Sequence, residues 1–203
     1  MKTRRIGSAL DASRWTAYTA AGAAAAVAGG ITAEADAAIT VVDVNVLLED
    51  RTQGDGYFDV FGPYTFGGAG ASFVFQQAFN ETGSDVGQLT VVGAGNIAIA
   101  GFGAGPYFYP SNLAYGANVS TQTFGVAAGN RGDMAWGTGY TNSQFLSAGV
   151  SYIGFEFDLG GGTQWGWAEL DMEGAPGNRA TFSRYAYGGV GESIAVGQIP
   201  APG

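Results

Sequence analysis

Hydrophobic and polar side chains alternate along short segments of this chain, and Gly-rich turns separate those segments. Alternation with a period of two residues is typical of β-strands that bury one face. The pattern predicts strands at residues 38–48, 57–61, 71–79, 88–92, 96–100, 119–127, 150–159, 165–172, 180–187 and 193–196. Short strands separated by regular turns predict an all-β fold, a single antiparallel β-sandwich that is jelly-roll-like.

The connections in this pattern carry their own predictions. Residues 88–92 and 96–100 are expected to form a hairpin across Gly93, Ala94 and Gly95. Residues 101–118 are rich in Gly, Pro, Tyr and Asn and are expected to be a long loop. Residues 129–142, which include Trp136, are expected to be a second loop.

Residues 150–173 show the most informative pattern. We expect two strands to pair around the four-residue loop at 160–163, with Phe157 opposite Gly166 and Phe155 opposite Ala168. One face is then apolar, and each large side chain meets a small one or a Leu across the ladder, as in a packed core. The opposite face carries Tyr152, Glu156, Asp158, Trp165, Trp167, Glu169 and Asp171.

The N-terminal segment has the order of a secretion signal. Half of the eight basic residues lie in the first 14 positions, and residues 16–33 are uncharged and rich in Ala and Gly. Small residues follow at a cleavage-like site, so residues 1–37 are predicted to be a signal peptide cleaved after Ala35 or Ala37. The stretch is too weakly apolar for a membrane anchor. This leaves a sandwich domain at 38–197 and a tail at 198–203, in a protein secreted or held at the cell surface.

Charge and composition exclude several function classes. Residues 39–203 contain four Arg, no Lys and fourteen Asp or Glu, a formal net charge of −10. Such a domain lacks the basic footprint of a nucleic-acid-binding protein. The chain has no Cys, which removes disulfides, and no His, which removes Ser-His-Asp triads and most zinc and copper sites. Carboxylate chemistry, or no chemistry, remains.

The face that mixes tryptophans with carboxylates has two interpretations. As a ligand-binding surface, Trp165 and Trp167 would stack on sugar rings while Tyr152, Glu156 and Asp158 bind hydroxyl groups. As a packing surface, the tryptophans would be covered by the second sheet, a loop or a neighbouring molecule, which agrees with the high average burial of Trp. Packing is favoured.

The segment Glu169-Leu170-Asp171-Met172-Glu173 has the form E-x-D-x-E. A motif of this form resembles that of laminarinase-like retaining glycoside hydrolases, which are β-jelly rolls. The resemblance implies Glu169 as nucleophile, Asp171 as its helper and Glu173 as acid/base. Retaining chemistry needs carboxyl groups about 5–5.5 Å apart, whereas four residues of strand span about 13 Å. No catalytic residue is therefore favoured, and these three form the alternative.

Two further motifs have weak functional interpretations. Carboxylates at Glu49, Asp50, Asp55 and Asp59 offer oxygens to Ca²⁺, but their spacing fits no defined calcium loop, so no cofactor and no metal site are predicted. The tripeptide Arg131-Gly132-Asp133 is interpreted as turn chemistry.

Four short motifs follow one another in the C-terminal third: YIGFEF at 152–157, WGWA at 165–168, YAY at 185–187 and IAVG at 194–197. They resemble a module of uncharacterised exported bacterial proteins, many of which end in a PEP-CTERM-type sorting tail. Residues 199–203 resemble the beginning of such a tail. Arg184 and Gly188 stand where that module carries acidic residues. The resemblance implies export and surface sorting, and it implies no particular activity.

Export without His or Cys favours a non-catalytic surface or extracellular-matrix domain with a structural or adhesive role. The alternative is a carbohydrate-binding or carbohydrate-cleaving domain. A glycan, or a second copy joined through strand edges, is the expected partner, and neither nucleic acid nor a transmembrane segment in the mature chain is expected.

Overall fold

The computed structural model describes residues 39–49, 59–66, 70–80 and 86–200, so the predicted signal peptide and the end of the tail lie outside the described residues. The strands in chain order are β1 (Thr40–Leu48), β2 (Asp59–Thr65), β3 (Ala71–Asn80), β4 (Val86–Gly95), β5 (Ile97–Ile99), β6 (Gly101–Ala104), β7 (Tyr107–Pro110), β8 (Arg131–Trp136), β9 (Gly149–Asp158), β10 (Thr163–Met172) and β11 (Ala180–Tyr187). A short 3-10 helix occupies Val119–Thr121. No helix within the described ranges has the length and apolar character needed to cross a membrane.

The strands form two sheets packed together, which confirms the predicted all-β sandwich. The five-stranded sheet has the order β1-β11-β10-β9-β5, and the six-stranded sheet has the order β2-β3-β4-β8-β7-β6. Neighbouring strands pair antiparallel, except that β7 and β8 run parallel, with Phe108 opposite Gly132. Each sheet therefore has one face toward its partner sheet and one face outward.

Aromatic rings fill the space between the sheets. Phe66, which follows β2, stacks on Phe157 with ring centroids 4.4 Å apart and lies 4.8 Å from Phe155. Phe73 from the six-stranded sheet reaches Phe155 at 5.6 Å and Phe182 at 5.9 Å. Rings of this size each bury a large apolar area, and tilted contacts add to the stabilisation. The core is thus built from side chains of both sheets and of the segment after β2.

The β9–β10 hairpin keeps the predicted faces but has a different register. Phe155 pairs with Gly166, whereas the sequence predicted Phe157 at that position, and the loop is formed by residues 159–162. A shift of two residues leaves every side chain on its predicted face, because the side-chain period of a strand is two. Leu159, predicted on the core face, lies in the loop and is exposed. A Cβ at Gly166 would lie 2.3 Å from the Phe155 ring, so this position requires glycine.

The predicted hairpin across residues 93–95 is wrong. β4 belongs to the six-stranded sheet and β5 to the five-stranded sheet, so the chain changes sheets at Gly95. Gly95 has a φ of +76°, and a Cβ there would lie 2.1 Å from the Gly70 carbonyl oxygen. The next amide, that of Asn96, donates to the same oxygen at 3.1 Å. Alternation shows where a strand lies, but it does not show to which sheet the strand belongs.

The predicted loops are also wrong in part. Residues 101–118 include β6 and β7, and residues 129–142 include β8 with Trp136. Gly101 and Gly132, for which the sequence predicts a loop and a turn, each permit a close approach inside a strand. A Cβ at Gly101 would lie 2.3 Å from the Tyr109 carbonyl oxygen, and one at Gly132 would lie 2.8 Å from the Pro110 ring. Conversely, residues 119–127 and 193–196 form no regular strand and contribute isolated bridges.

Candidate functional site

The outward face of β9 and β10 is the predicted acidic and aromatic surface, and we call it the acidic face. It is defined by Tyr152, Glu156, Asp158, Trp165, Trp167, Glu169 and Asp171. The register places Trp165 opposite Glu156 and Glu169 opposite Tyr152. The two strands thus bring these side chains together as the sequence predicted.

Part of the acidic face is covered by a layer that the sequence did not predict. Leu113, Val119, Ile194 and Val196 pack on the sheet around Trp167, which is 1% exposed. The covering segments are hydrogen-bonded to each other, from Val119 N to the Ile194 oxygen at 2.9 Å, and to β9, from Leu113 N to the Tyr152 oxygen at 2.9 Å. Trp167 therefore has no ring face open for a sugar, as the packing interpretation expects.

The other predicted ligand-binding residues have partners within the protein. The Trp165 indole donates to Glu156 Oε2 at 3.3 Å. Asp158 Oδ1 accepts from the amides of Gly160 at 2.6 Å and Gly162 at 3.1 Å, which closes the β9–β10 loop. Burial is the largest cause that raises the pKa of Tyr152, and the charge of the hydrogen-bonded Glu169 raises it further. Each of these groups contributes to the local structure of the sheet.

The three carboxylates of the E-x-D-x-E segment have different surroundings. Glu169 Oε1 lies 3.5 Å from Arg184 Nε on β11. Glu173, one residue after β10 ends, accepts two hydrogen bonds from Arg179, at 2.5 Å and 2.7 Å. Asp171 is exposed between them. The Arg179 hydrogen bonds hold the pKa of Glu173 below its ordinary value of 4.5, whereas a general acid at neutral pH needs a raised pKa.

Two open depressions of about 340 Å³ lie at the ends of the acidic face. One is lined by Asp171, Glu173 and Arg179 together with Leu47 of β1. The other is lined by Glu156 and Asp158 together with Asn96 at the sheet change. Carboxylates border both depressions, and the first also contains Arg179, the ion-pair partner of Glu173.

The calcium interpretation receives no support from the described residues. Within the described ranges no three His, Cys, Asp or Glu side chains gather as a metal site would require. Glu49 accepts from Arg179 Nη1 at 2.6 Å, so its carboxylate takes part in an ion pair. Asp50 and Asp55 lie outside the described residues.

A second surface, which the sequence pattern does not predict, lies on the outward face of the six-stranded sheet. We call it the aromatic face and define it by Phe102, Tyr107, Tyr109, Trp136 and Tyr140. The ring centroid of Tyr140 lies 5.4 Å from that of Trp136, 5.5 Å from that of Tyr107 and 5.9 Å from that of Tyr109. Phe102 stacks on Tyr109 at 5.8 Å. Trp136 and Tyr107 are 46% and 38% exposed, whereas Tyr109 and Tyr140 are buried.

Polar side chains lie next to the aromatic face on the same sheet. Gln88 is the cross-strand partner of Trp136, and its Nε2 donates to the Tyr140 hydroxyl at 3.1 Å. That hydroxyl donates to Asp133 Oδ1 at 3.4 Å, and Arg131 Nε lies 2.9 Å from the same oxygen. Arg131 and Asp133 are thus strand residues of β8, and the interpretation of this tripeptide as a turn is wrong.

Burial shifts the pKa values of Asp133 and Tyr140. Burial raises the pKa of Asp133, while the charge of Arg131 and the Tyr140 hydrogen bond oppose the rise. Burial and the charge of Asp133 raise the pKa of Tyr140 to about 12. The Tyr140 phenol therefore stays protonated at neutral pH and remains a hydrogen-bond donor.

One signal in the sequence points to this surface. Tyr107 and Tyr109 are two residues apart, which places their rings on one side of a strand. The Gly and Pro residues around them predict a loop, and this signal obscures the two-residue period. Trp136 and Tyr140 are joined to the pair only by the fold.

Comparison of the chain with protein-family models, curated proteins and solved structures found no significant match.

Proposed function

We propose that this chain is an exported, non-catalytic β-domain with a structural or adhesive role at the cell surface or in the extracellular matrix. The observation that carries the proposal is the state of the acidic face, where the groups suited to sugar chemistry are covered or engaged in internal contacts. Trp167 is buried, and Glu169 and Glu173 pair with Arg184 and Arg179. The leader-like N-terminus and the resemblance to exported, surface-sorted proteins support the proposed location.

The carbohydrate-cleaving alternative is the less supported one. A retaining hydrolase needs one ionised nucleophile and one protonated acid on either side of the scissile bond. A bidentate arginine favours the ionised form of Glu173 and so opposes its use as the acid. Glu169 and Glu173 bind two different arginines, one on β11 and one before it. This arrangement suits an ion-pair network that fixes β10 against β11.

A direct assay separates the two interpretations. The purified exported chain should release no reducing sugar from β-1,3-glucan or mixed-linkage β-glucan above a buffer blank. Release by the wild type, together with its loss in Glu169→Gln and Glu173→Gln, would contradict the non-catalytic proposal. A folded laminarinase in parallel controls for substrate quality.

The adhesive role is tested in a secreting bacterial host. We expect the tagged chain to leave the cytoplasm with its N-terminus at residue 36 or 38, and to sediment with cells or with biofilm matrix after washing. A tagged secreted protein of similar size and charge is the control for trapping. Recovery of the chain in the wash, at the level of that control, would contradict the adhesive proposal.

A further inference from the structure

The aromatic face differs from the acidic face in being open. Its two exposed rings, Trp136 and Tyr107, both contact the buried ring of Tyr140, at 5.4 Å and 5.5 Å. Their centroids are therefore separated by at most the sum of these distances, about 11 Å. One disaccharide can bridge such a separation. The rings are fixed by neighbouring aromatic side chains, so stacking on them orders few new torsions.

Hydrogen-bonding groups lie at the same face in an ordered arrangement. Gln76, the fully buried Thr90 and Asp133 are successive cross-strand partners on β3, β4 and β8, and Gln88 lies opposite Trp136 on the next row. Asp133 is 3% exposed and holds both the Arg131 guanidinium and the Tyr140 hydroxyl. Gln88 retains exposed surface, and the second hydrogen on its Nε2 can donate to a hydroxyl oxygen. A rigid apolar platform with a few positioned polar groups is typical of a small-molecule site.

The charges at this face favour an uncharged ligand. By the strand pairing, Arg131 and Asp133 are the charged residues at outward positions on the described parts of β3, β4, β6, β7 and β8, and they neutralise each other. The described ranges as a whole carry ten Asp or Glu against three Arg. An anionic polymer would be repelled by this excess, and a cationic one would be drawn to the acidic face instead.

We infer that the aromatic face is a binding site for a neutral polysaccharide. In this site Trp136 and Tyr107 stack on the apolar faces of pyranose rings, and Gln88 donates to a ring hydroxyl. Tyr140 is a positioning residue, because its ring contacts both stacking rings and its hydroxyl accepts from Gln88. The inference rests on the proposed function, because it names the ligand of an adhesive domain. It places carbohydrate binding on the six-stranded sheet, whereas the sequence predicted it on the acidic face.

Affinity electrophoresis of the purified exported chain tests the inference. The gels contain β-1,3-glucan, β-1,4-glucan, xylan or mannan as neutral polymers, and alginate or polygalacturonate as acidic polymers. We expect retardation by at least one neutral polymer, little dependence on salt, and none by the acidic polymers. Failure of every neutral polymer, or stronger retardation by an acidic one, would overturn the inference.

Single variants locate the site. Trp136→Ala and Tyr107→Ala should each raise the dissociation constant at least tenfold, and Trp136→Phe should recover part of the loss. Tyr115→Ala is the matched control, because Tyr115 is 75% exposed and contacts Tyr152 of the acidic face. Near-ultraviolet circular dichroism reports whether each variant is folded. Binding that survives both alanine variants, or that is lost equally in Tyr115→Ala, would overturn the assignment.

The matrix-retention assay separates this inference from the proposed function. If wild type is retained and Trp136→Ala is retained equally, the glycan site fails and the adhesive role stands. If wild type itself is not retained, the adhesive role fails, while the gel assay still decides whether the face binds a polysaccharide.

Discussion

At the residue scale, the ion pairs of individual arginines hold polar side chains in place. The three Arg among the described residues, at positions 131, 179 and 184, each lie within ion-pair distance of a carboxylate. Arg179 joins two of them, Glu173 after β10 and Glu49 after β1. Arg179 therefore ties the ends of two strands of the five-stranded sheet.

The pKa of Glu173 predicts a stability change in acid. Its pKa in the folded protein lies below the ordinary 4.5, so the ion pair stabilises the fold above that value and loses its effect as pH falls through the lower, folded pKa. Glu173→Gln should lower the free energy of unfolding at pH 7 by up to about 1 kcal/mol, since the pair is half exposed. Urea unfolding of both proteins from pH 7 downward measures the difference, which should shrink in acid.

Asp171→Asn is the matched control for this prediction. Asp171 lies two residues earlier, is exposed and forms no ion pair with the described residues. Its variant should unfold like wild type at every pH. A deficit in Glu173→Gln that stays constant down to the most acidic pH would contradict the ion-pair explanation.

At the element scale, the buried side-chain amide of Asn178 joins the two sheets. Asn178 lies in the connection between β10 and β11, and its Nδ2 donates to the carbonyl oxygens of Gly137 at 2.8 Å and Gly87 at 3.0 Å, both in the six-stranded sheet or directly after one of its strands. The backbone follows the same contact, since the Gly87 amide donates to the Pro176 oxygen at 2.9 Å. Asn178 has a φ of +52°, which Asn tolerates better than most residues.

Variants of Asn178 separate its hydrogen bonds from its backbone conformation. Asn178→Ala loses the hydrogen bonds to buried carbonyls, which costs about 1–3 kcal/mol, and forces alanine into the left-handed region, which costs about 1–2 kcal/mol. Asn178→Gly loses only the hydrogen bonds, so it should be the more stable of the two by roughly 1 kcal/mol. Chemical denaturation measures both, and equal stabilities would show that the strain of alanine at this φ does not exceed the unfolded-state entropy that glycine adds.

The sequence predicted those elements that have apolar residues at alternate positions over most of their length. β1, β3, β9, β10 and β11 lie close to their predicted positions because one face of each is apolar and packs on the core. The pattern does not predict β6, β7 and β8, because glycines such as Gly101 and Gly132 favour loops and turns. In the fold they are strand residues that allow neighbouring backbones or a proline ring to approach closely.

The candidate sites were predictable to different degrees. The residues of the acidic face could be named because a single hairpin brings them together. The layer that covers Trp167 could not, because its contacts join residues near 113–119 and 194–196 to a strand between them. The aromatic face combines β7, β8 and Tyr140, whose proximity depends on the parallel pairing that alternation does not predict.

Strand edges bear on self-association at the scale of the whole molecule. The edge strands β5 and β6 have three and four residues. The edge strands β1 and β2 are interrupted by register shifts, between Asp43 and Val46 and between Phe61 and Tyr64. Short or bulged edges are devices that limit edge-to-edge pairing. Self-association through strand edges therefore stays a prediction, and the form of these edges does not favour it.

The two outward faces of the molecule predict that Trp136 and Trp167 differ in their accessibility to solvent. Trp136 on the open aromatic face is 46% exposed, whereas Trp167 under the covering layer of the acidic face is 1% exposed. Acrylamide quenching of tryptophan fluorescence tests this on the exported chain, from which the leader and Trp15 have been removed. Trp136→Phe should abolish most of the fluorescence that acrylamide can quench. Trp167→Phe should remove protected emission and leave the accessible fraction intact. A neutral oligosaccharide that binds should shield wild type and have no such effect on Trp136→Phe. Equal quenching of the two variants would contradict the assignment of one covered and one open face.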